Sequence, residues 1–249
     1  MRTLARSVAL ILLFAGLPAV AQDAAQPGIS FSINGGQIGA PGLSTSIQLL
    51  LLFTILSVAP AILIMMTSFV RIVIVLGFLR SALTLQQPSN QIVIALSLFL
   101  TFFVMAPTID ALNERALAPL RAGEIQADAA ISNAGDVMKE FMLRHAKETE
   151  LRLFIQLARI EEDFQTPQDV PLRVVIPAFM LSELKTAFQM GLLVLLPFLV
   201  IDLVVASTLM SLGMMMLPPT VVTLPLKIMV FVLADGWALL VRSIVQSFA

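Results

Sequence analysis

Long apolar runs separated by short polar breaks dominate this chain. The first, Ile47 to Met66, has no charge over about 20 positions, enough helix for about 30 Å of hydrocarbon. Pro60 lies inside it and predicts a kink. A second run, Ile92 to Thr108, is shorter and ends beside Pro107. A third extends from Met190 to Leu217, interrupted by Pro197 and Asp202. The fourth, Val221 to Val241, contains Lys227 and Asp235. This pattern predicts an all-α integral membrane protein with about four apolar spans in helical hairpins. Between the second and third spans the pattern changes. Of the 16 acidic residues 12 fall between Asp110 and Arg173, as do 8 of the 15 basic ones, so this is the stretch built to meet water. Within it Val137, Phe141, Ala146, Leu153, Phe154, Leu157 and Ile160 recur at roughly helical spacing, predicting one amphipathic helix from Val137 to Asp163. Glu148 and Arg152 stand four apart on it, as an ion pair requires. His145, between Arg144 and Lys147, reads as a surface residue.

The N-terminus carries a different signal. Arg2 and Arg6 precede a short apolar core, Val8 to Leu17, and Pro18-Ala19-Val20-Ala21 supplies an Ala-x-Ala pattern before Gln22. A signal peptide over 1–21, cut between Ala21 and Gln22, is predicted. The expected organisation continues with a flexible exported lead-in over 22–46 and a first membrane hairpin over 47–109. A periplasmic helical region over 110–175 and a second hairpin over 176–249 complete it. With residue 22 outside, the first span brings Arg71 and Arg80 to the cytoplasmic side. Lys227 then opens the fourth span near the inner face, and both mature ends lie outside, as the positive-inside rule prefers.

Composition narrows the function. Hydrophobic residues make up 58% of the chain and charged ones 12%, with a mean hydropathy of +0.96, which places it in the membrane class. A net charge of −1 gives no basic field for nucleic acid. The absence of Cys and the single His rule out thiolate chemistry and multi-histidine metal sites. There is no phosphate-binding glycine loop, and no cofactor or metal is expected. Ser182 and Lys185 could formally act as a nucleophile and base, but no recognisable site surrounds them, so the chain does not read as an enzyme.

Three charges inside the apolar runs carry more information. Asp202, Lys227 and Asp235 would each cost about 2.5–3.5 kcal/mol at a bilayer centre, so each should face protein or water. Lys227 and Asp235, eight residues apart, share roughly one helical face. Asp202 can pair with Lys227 across the hairpin or across a subunit boundary. Such a pair either fixes helix register or relays protons in a coupled transporter. Between the last two spans stand Met214, Met215 and Met216, followed by Pro218 and Pro219. The prolines predict that the helix ends near Met216 and that an apolar, non-helical tip follows. Irregular backbone at membrane depth must be packed in protein or line a cavity. Met, unbranched and polarizable, suits either surface.

Several stretches together resemble the FliP family of flagellar export-gate proteins and their type III secretion counterparts. They begin with Met66-Thr67-Ser68-Phe69-Val70-Arg71-Ile72-Val73-Ile74-Val75-Leu76, Phe78-Leu79-Arg80 and Gln86-Gln87-Pro88-Ser89-Asn90. Leu98-Phe99-Leu100-Thr101-Phe102-Phe103-Val104-Met105 comes next, then Ile176-Pro177-Ala178-Phe179 and Ser182-Glu183-Leu184-Lys185-Thr186-Ala187-Phe188-Gln189-Met190-Gly191. Pro197-Phe198-Leu199-Val200-Ile201-Asp202-Leu203-Val204, Gly213-Met214-Met215-Met216-Leu217-Pro218-Pro219, Leu224-Pro225-Leu226-Lys227 and Asp235-Gly236-Trp237 complete the series. The resemblance covers roughly residues 45–249. It implies a pore-forming core subunit of the flagellar type III export apparatus in the bacterial inner membrane, at the flagellar basal body. Unfolded flagellar subunits would pass through it. It also implies a homo-oligomer, a pentamer, with FliQ-like and FliR-like partners, other export-gate subunits and lipid around it, raised out of the usual bilayer plane. Met214, Met215 and Met216 would form the pore gasket. Glu183, with Lys185 beside it, would serve subunit assembly. An injectisome export-gate subunit shares these motifs and stands as the alternative, with a proton-coupled transporter behind it. The signal peptide and the length lean towards the flagellar type.

Overall fold

The computed structural model describes residues 32–33, 36–37, 45–83, 89–160, 164, 166–214 and 216–248. The predicted signal peptide, its cleavage point at Ala21 and Gln22, and Met215 lie outside the described residues. The chain divides into two units, Met1–Ser57 and Val58–Ala249. In the first, β1 (Ser32–Ile33) and β2 (Gly36–Gln37) pair antiparallel, with Ser32 opposite Gln37 and Ile33 opposite Gly36. Helix α1 (Thr45–Met65) begins in this unit and ends in the second.

The second unit is otherwise helical among its described residues. Its elements are α2 (Phe69–Ala82), α3 (Asn90–Leu112), a π-helical turn (Asn113–Leu117), α4 (Ala118–Ala122), α5 (Ala127–His145) and α6 (Glu148–Leu157). A 3₁₀ turn (Pro167–Asp169), α7 (Leu172–Ser211), α8 (Thr220–Leu233) and α9 (Gly236–Gln246) follow.

Two of the four expected spans change length and one breaks. Among the described residues, two helices are individually long and apolar enough to cross a membrane: Asn90–Ala122, of 33 residues, and Leu172–Ser211, of 40. At 1.5 Å per residue they extend about 50 and 60 Å, well past the ~30 Å hydrocarbon core. Their charged ends, with Asp110 to Arg121 on one and Arg173 to Lys185 on the other, therefore have length to spare outside it. The run expected as a fourth span is instead α8 and α9, which qualify only as a pair bent by 64°. The bend falls at Asp235, whose φ of 50° is left-handed, a conformation that Asp tolerates better than most residues. Gly236 follows, and a Cβ there would come within 2.3 Å of the Phe231 ring. The described apolar stretch of α1, Leu49–Val58, is shorter than a span. Among the described residues two helices are of membrane length, or three with the bent pair counted as one, so two or three of the four expected spans are seen.

The segment between the first two expected spans is not a loop. It forms α2, which buries Arg71, Ile72, Val75, Leu76, Leu79 and Ala82 on one face, the i, i+3, i+4 stripe of a helix laid against a partner. That partner is α7. Phe78 packs edge-on against Phe188 with ring centroids 5.4 Å apart. Gly191 sits so close that an added Cβ would lie 2.2 Å from the Phe78 ring. Residue type at 191 is thus dictated by helix approach. One apolar core gathers Ile72, Val75, Leu76 and Leu79 of α2 with Ala187 and Phe198 of α7, Phe231 of α8 and Ile244 of α9. A second gathers Met105 of α3, Phe141 and Met142 of α5, and Val174, Val175 and Phe179 of α7. Long α7 belongs to both.

The charged region also departs from expectation. One helix over Val137 to Asp163 becomes two, α5 and α6, parted at Ala146 and Lys147. The break has a partner on α7, because the Lys147 backbone N–H donates to Ser182 Oγ at 2.9 Å. Glu148 and Arg152 do pair, at 2.6 Å, on an exposed face.

The close approach at Gly191 yields a test. Gly191→Ala should lower stability by about 1–3 kcal/mol, the usual cost of overpacking. Adding Phe78→Leu should recover part of that loss. Thermal unfolding of the detergent-solubilised variants would measure both.

Candidate functional site: the methionine tip and its buried ion pairs

The tip between α7 and α8 is shaped by glycine at one end and proline at the other. Helix α7 stops at Ser211 rather than near Met216. Gly213 adopts φ 74°, its N–H donates to the Met210 carbonyl at 3.1 Å, and the Met214 N–H donates to the Leu209 carbonyl at 3.0 Å. These are the paired bonds of a Schellman end, in which a left-handed glycine satisfies the last carbonyls. The prolines, expected to break the first helix, instead start the second. Carbonyls of Pro218 and Pro219 accept from Val221 and from Val222 and Thr223, and Pro219 already has helical φ and ψ. Proline suits a helix start because its missing N–H would have had no helical partner there. Between these ends the chain presents apolar side chains outward. Met216 is 98% exposed and Met214 46%, with Met210 and Leu212 also exposed.

About 13 Å back along α7 from its end lies the first ion pair. Lys227 Nζ donates to Asp202 Oδ2 at 2.6 Å and to the Ala82 carbonyl at 3.1 Å. The Lys227 side chain is 1% exposed and that of Asp202 38%. One ammonium therefore ties α8 to α7 and to the end of α2. Asp235 does not join it. The bend carries Asp235 to an exposed position, so the shared helical face expected for Lys227 and Asp235 does not form.

Further along α7 lies a second pair whose partner sequence reasoning did not supply. Arg71 of α2 grips Glu183 of α7 with both carboxylate oxygens engaged: Nε donates to Oε2 at 2.8 Å and Nη2 to Oε1. Nη1 donates to the carbonyl and the hydroxyl of Ser247, at 2.9 and 2.8 Å. The Phe248 ring stacks on the guanidinium, 3.7 Å away. Both charges are almost wholly buried. His145, expected at the surface, is half-buried between the rings of Phe141 and Phe248, and its Nδ1 donates to the Phe141 carbonyl at 2.8 Å.

This contact revises the predicted topology. Arg71 was placed on the cytoplasmic side and the region containing Glu183 outside, yet a bidentate pair cannot span a membrane. Met66, the inner end of the first expected span, packs against the same second core as Phe141 and Val174. Sequence counting put these residues on opposite sides because α2 was read as a connection instead of a helix lying along α7. Glu183, expected to serve subunit assembly, is fully buried within its own chain. Arg80 lies at the far end of α2, bonded to Asn90 of α3.

Lys185 reaches outward to α6, where its Nζ donates to Glu150 Oε1 at 2.7 Å. That bond is the main cause holding the Glu150 carboxyl below its usual value, with Thr149 adding a second donor and burial opposing both. No spacing in the sequence links residues 150 and 185, which meet only through the fold.

Helices of membrane length, cross-tied inside by ion pairs and ending in an exposed methionine tip, define a helical protein suited to membrane insertion. The FliP family profile matches residues 52–244, and the chain belongs to the FliP family. It is 53% identical over 207 residues to the flagellar biosynthetic protein FliP of Bacillus subtilis (strain 168), covering 83% of this chain and 93% of that one. The match to the protein of the same description from Aquifex aeolicus is 52% over 214 residues, covering 85% and 90%. With that of Caulobacter vibrioides the identity is 48% over 245 residues, or 98% and 91% of the two chains.

Breaking one side of the Arg71–Glu183 pair should cost about 3–5 kcal/mol, because the other charge stays buried. Glu183→Gln and Arg71→Met should each show that loss in thermal unfolding, while the combined Arg71→Met/Glu183→Leu chain recovers most of it. Acidity should act on the other pair. The lowered Glu150 value means its contribution is complete above about pH 4.5 and is lost as pH falls through the folded value. Glu150→Gln should therefore remove part of the drop in melting temperature seen between pH 7 and about pH 3.

Proposed function

We propose that this chain is a pore-forming core subunit of the flagellar type III protein export apparatus. In the bacterial inner membrane, at the flagellar basal body, it would pass unfolded flagellar subunits and perform no chemical step itself. The observation that carries this reading is the tip: apolar, flexible side chains held out at the joint of two helices, with Met216 almost wholly exposed. An exposed thioether surface in a membrane-inserted chain calls for either a protein neighbour or a cavity. A ring of copies provides both, as each subunit turns its tip to a common axis and its lateral apolar faces to its neighbours. Leu193, Leu203 and Phe99, all more than 60% exposed, belong to such faces. In this reading the partners are further copies of the chain, FliQ-like and FliR-like proteins and other export-gate subunits.

The flagellar descriptions of the relatives favour flagellar export over the injectisome alternative. The burial of Lys227, closed on Asp202 and the Ala82 carbonyl, favours a register clamp over the proton relay of a transporter.

Replacing Met214, Met215 and Met216 together by Ala would shorten every side chain of the seal. The variant should conduct ions across membranes that the parent chain keeps tight, as read by single-channel or liposome conductance. A triple variant as tight as the parent would remove the gasket role.

A further inference from the structure

Helix α2, along Val73, Ile74, Gly77 and the flank of Phe78, forms one wall of a groove of about 660 Å³, with α3 as the other. That volume lies within the usual range for small-molecule sites. Val73, Ile74, Phe78 and Val93 supply an apolar floor, while Arg80 and Asn90 stand at one end. Among the described residues that line it, none is acidic. The groove is open beside Gly77, where an added Cβ would meet nothing within 4 Å.

The polar end is built of hydrogen-bond donors. The one side chain bonded to Arg80 among the described residues is the neutral Asn90, whose Oδ1 accepts from Nη1. A guanidinium is a permanent cation with five donors in a fixed fork. Asn90, whose oxygen faces Arg80, adds an amide N–H₂ donor to the same end. Asn90 is also the first residue of a helix long and apolar enough to cross a membrane, so with α3 inserted from this end the cluster would stand where the helix enters the hydrocarbon. A cation at that depth, above an apolar slot running along the helices, is complementary to an anionic headgroup with an acyl chain beneath it.

We propose that the α2–α3 groove binds one anionic phospholipid, its phosphate on Arg80 and Asn90 and an acyl chain along Val73, Ile74 and Gly77. The site requires α3 to lie in a membrane but does not depend on the pore, so a tight methionine variant would leave it standing.

The test uses the full chain purified in mild detergent with phosphatidylglycerol or phosphatidylcholine, and native mass spectrometry to count retained lipid. The parent chain should keep one phosphatidylglycerol in preference to phosphatidylcholine. Arg80→Gln should reduce that retention roughly fivefold, the scale of one basic residue at an anionic membrane surface. Arg80→Lys should keep most of it. Gly77→Leu, which fills the slot without touching charge, should reduce retention of both lipids. Circular dichroism establishes that each variant is folded; if Arg80→Gln is not, the Lys and Leu variants decide. Equal retention of the two lipids would overturn the proposal. So would displacement of the lipid by millimolar inorganic phosphate, which marks a bare anion site. A Gly77→Cys disulfide joining two copies across a lipid-free groove would reassign the face to self-association.

Discussion

Everything in the second unit hangs on a carboxylate that has no water to speak to. Glu183 sits on α7 with none of its surface exposed, and it is tolerable there because Arg71 meets both of its oxygens. A buried pair of this kind contributes little net energy but penalises every arrangement that separates its members. It therefore selects among packings more than it strengthens one. Arg71 then spends its remaining donors on Ser247 and its flat face on Phe248, so the same guanidinium fixes α2, α7 and the segment after α9. The pair lies between the two apolar cores that α7 threads, and Phe248 is packed against both.

The second pair follows the same logic nearer the tip. Lys227 has a carboxylate on one side and the Ala82 carbonyl on the other, so α8 can meet α7 in one register. With α2 held at its start by Arg71 and at its end by Lys227, its stripe of Ile72, Val75, Leu76 and Leu79 has one place to go. Gly191 lets it close that distance. Directional charge contacts set the alignment, and non-directional apolar burial supplies most of the cohesion.

How much of this could be read from the chain differs by feature. Apolar runs announced the helical class, and the charged stretch from Asp110 to Arg173 announced a water-facing region. The Asp202–Lys227 contact was accessible because an unpartnered charge in hydrocarbon is so costly that few partners are available. The Arg71–Glu183 contact was not accessible by the same route. Arg71 looked like a topological marker once α2 was taken for a connection, and residues 112 positions apart leave no local trace. Hydropathy also misplaced helix ends, since it registers the apolar centre of α7 and not the polar turns that extend it to Leu172. At the tip the prolines were read in the wrong role: they start a helix, and Gly213 stops the one before it. Residue type alone does not say which side of a boundary a proline serves.

That division of labour makes the tip a joint between two separately closed helices. Helix α7 is terminated by a backbone motif complete at Met214, and α8 is initiated by one that begins at Pro218. Between the two, the Leu217 N–H donates to the Met214 carbonyl at 3.3 Å, a turn that belongs to neither helix. The legs are locked in register by charge about 13 Å below the end of α7, away from the tip itself. The size and softness of the side chains at the tip can change without turning either leg, so the chemistry of the tip and the alignment of its supports are free to vary separately.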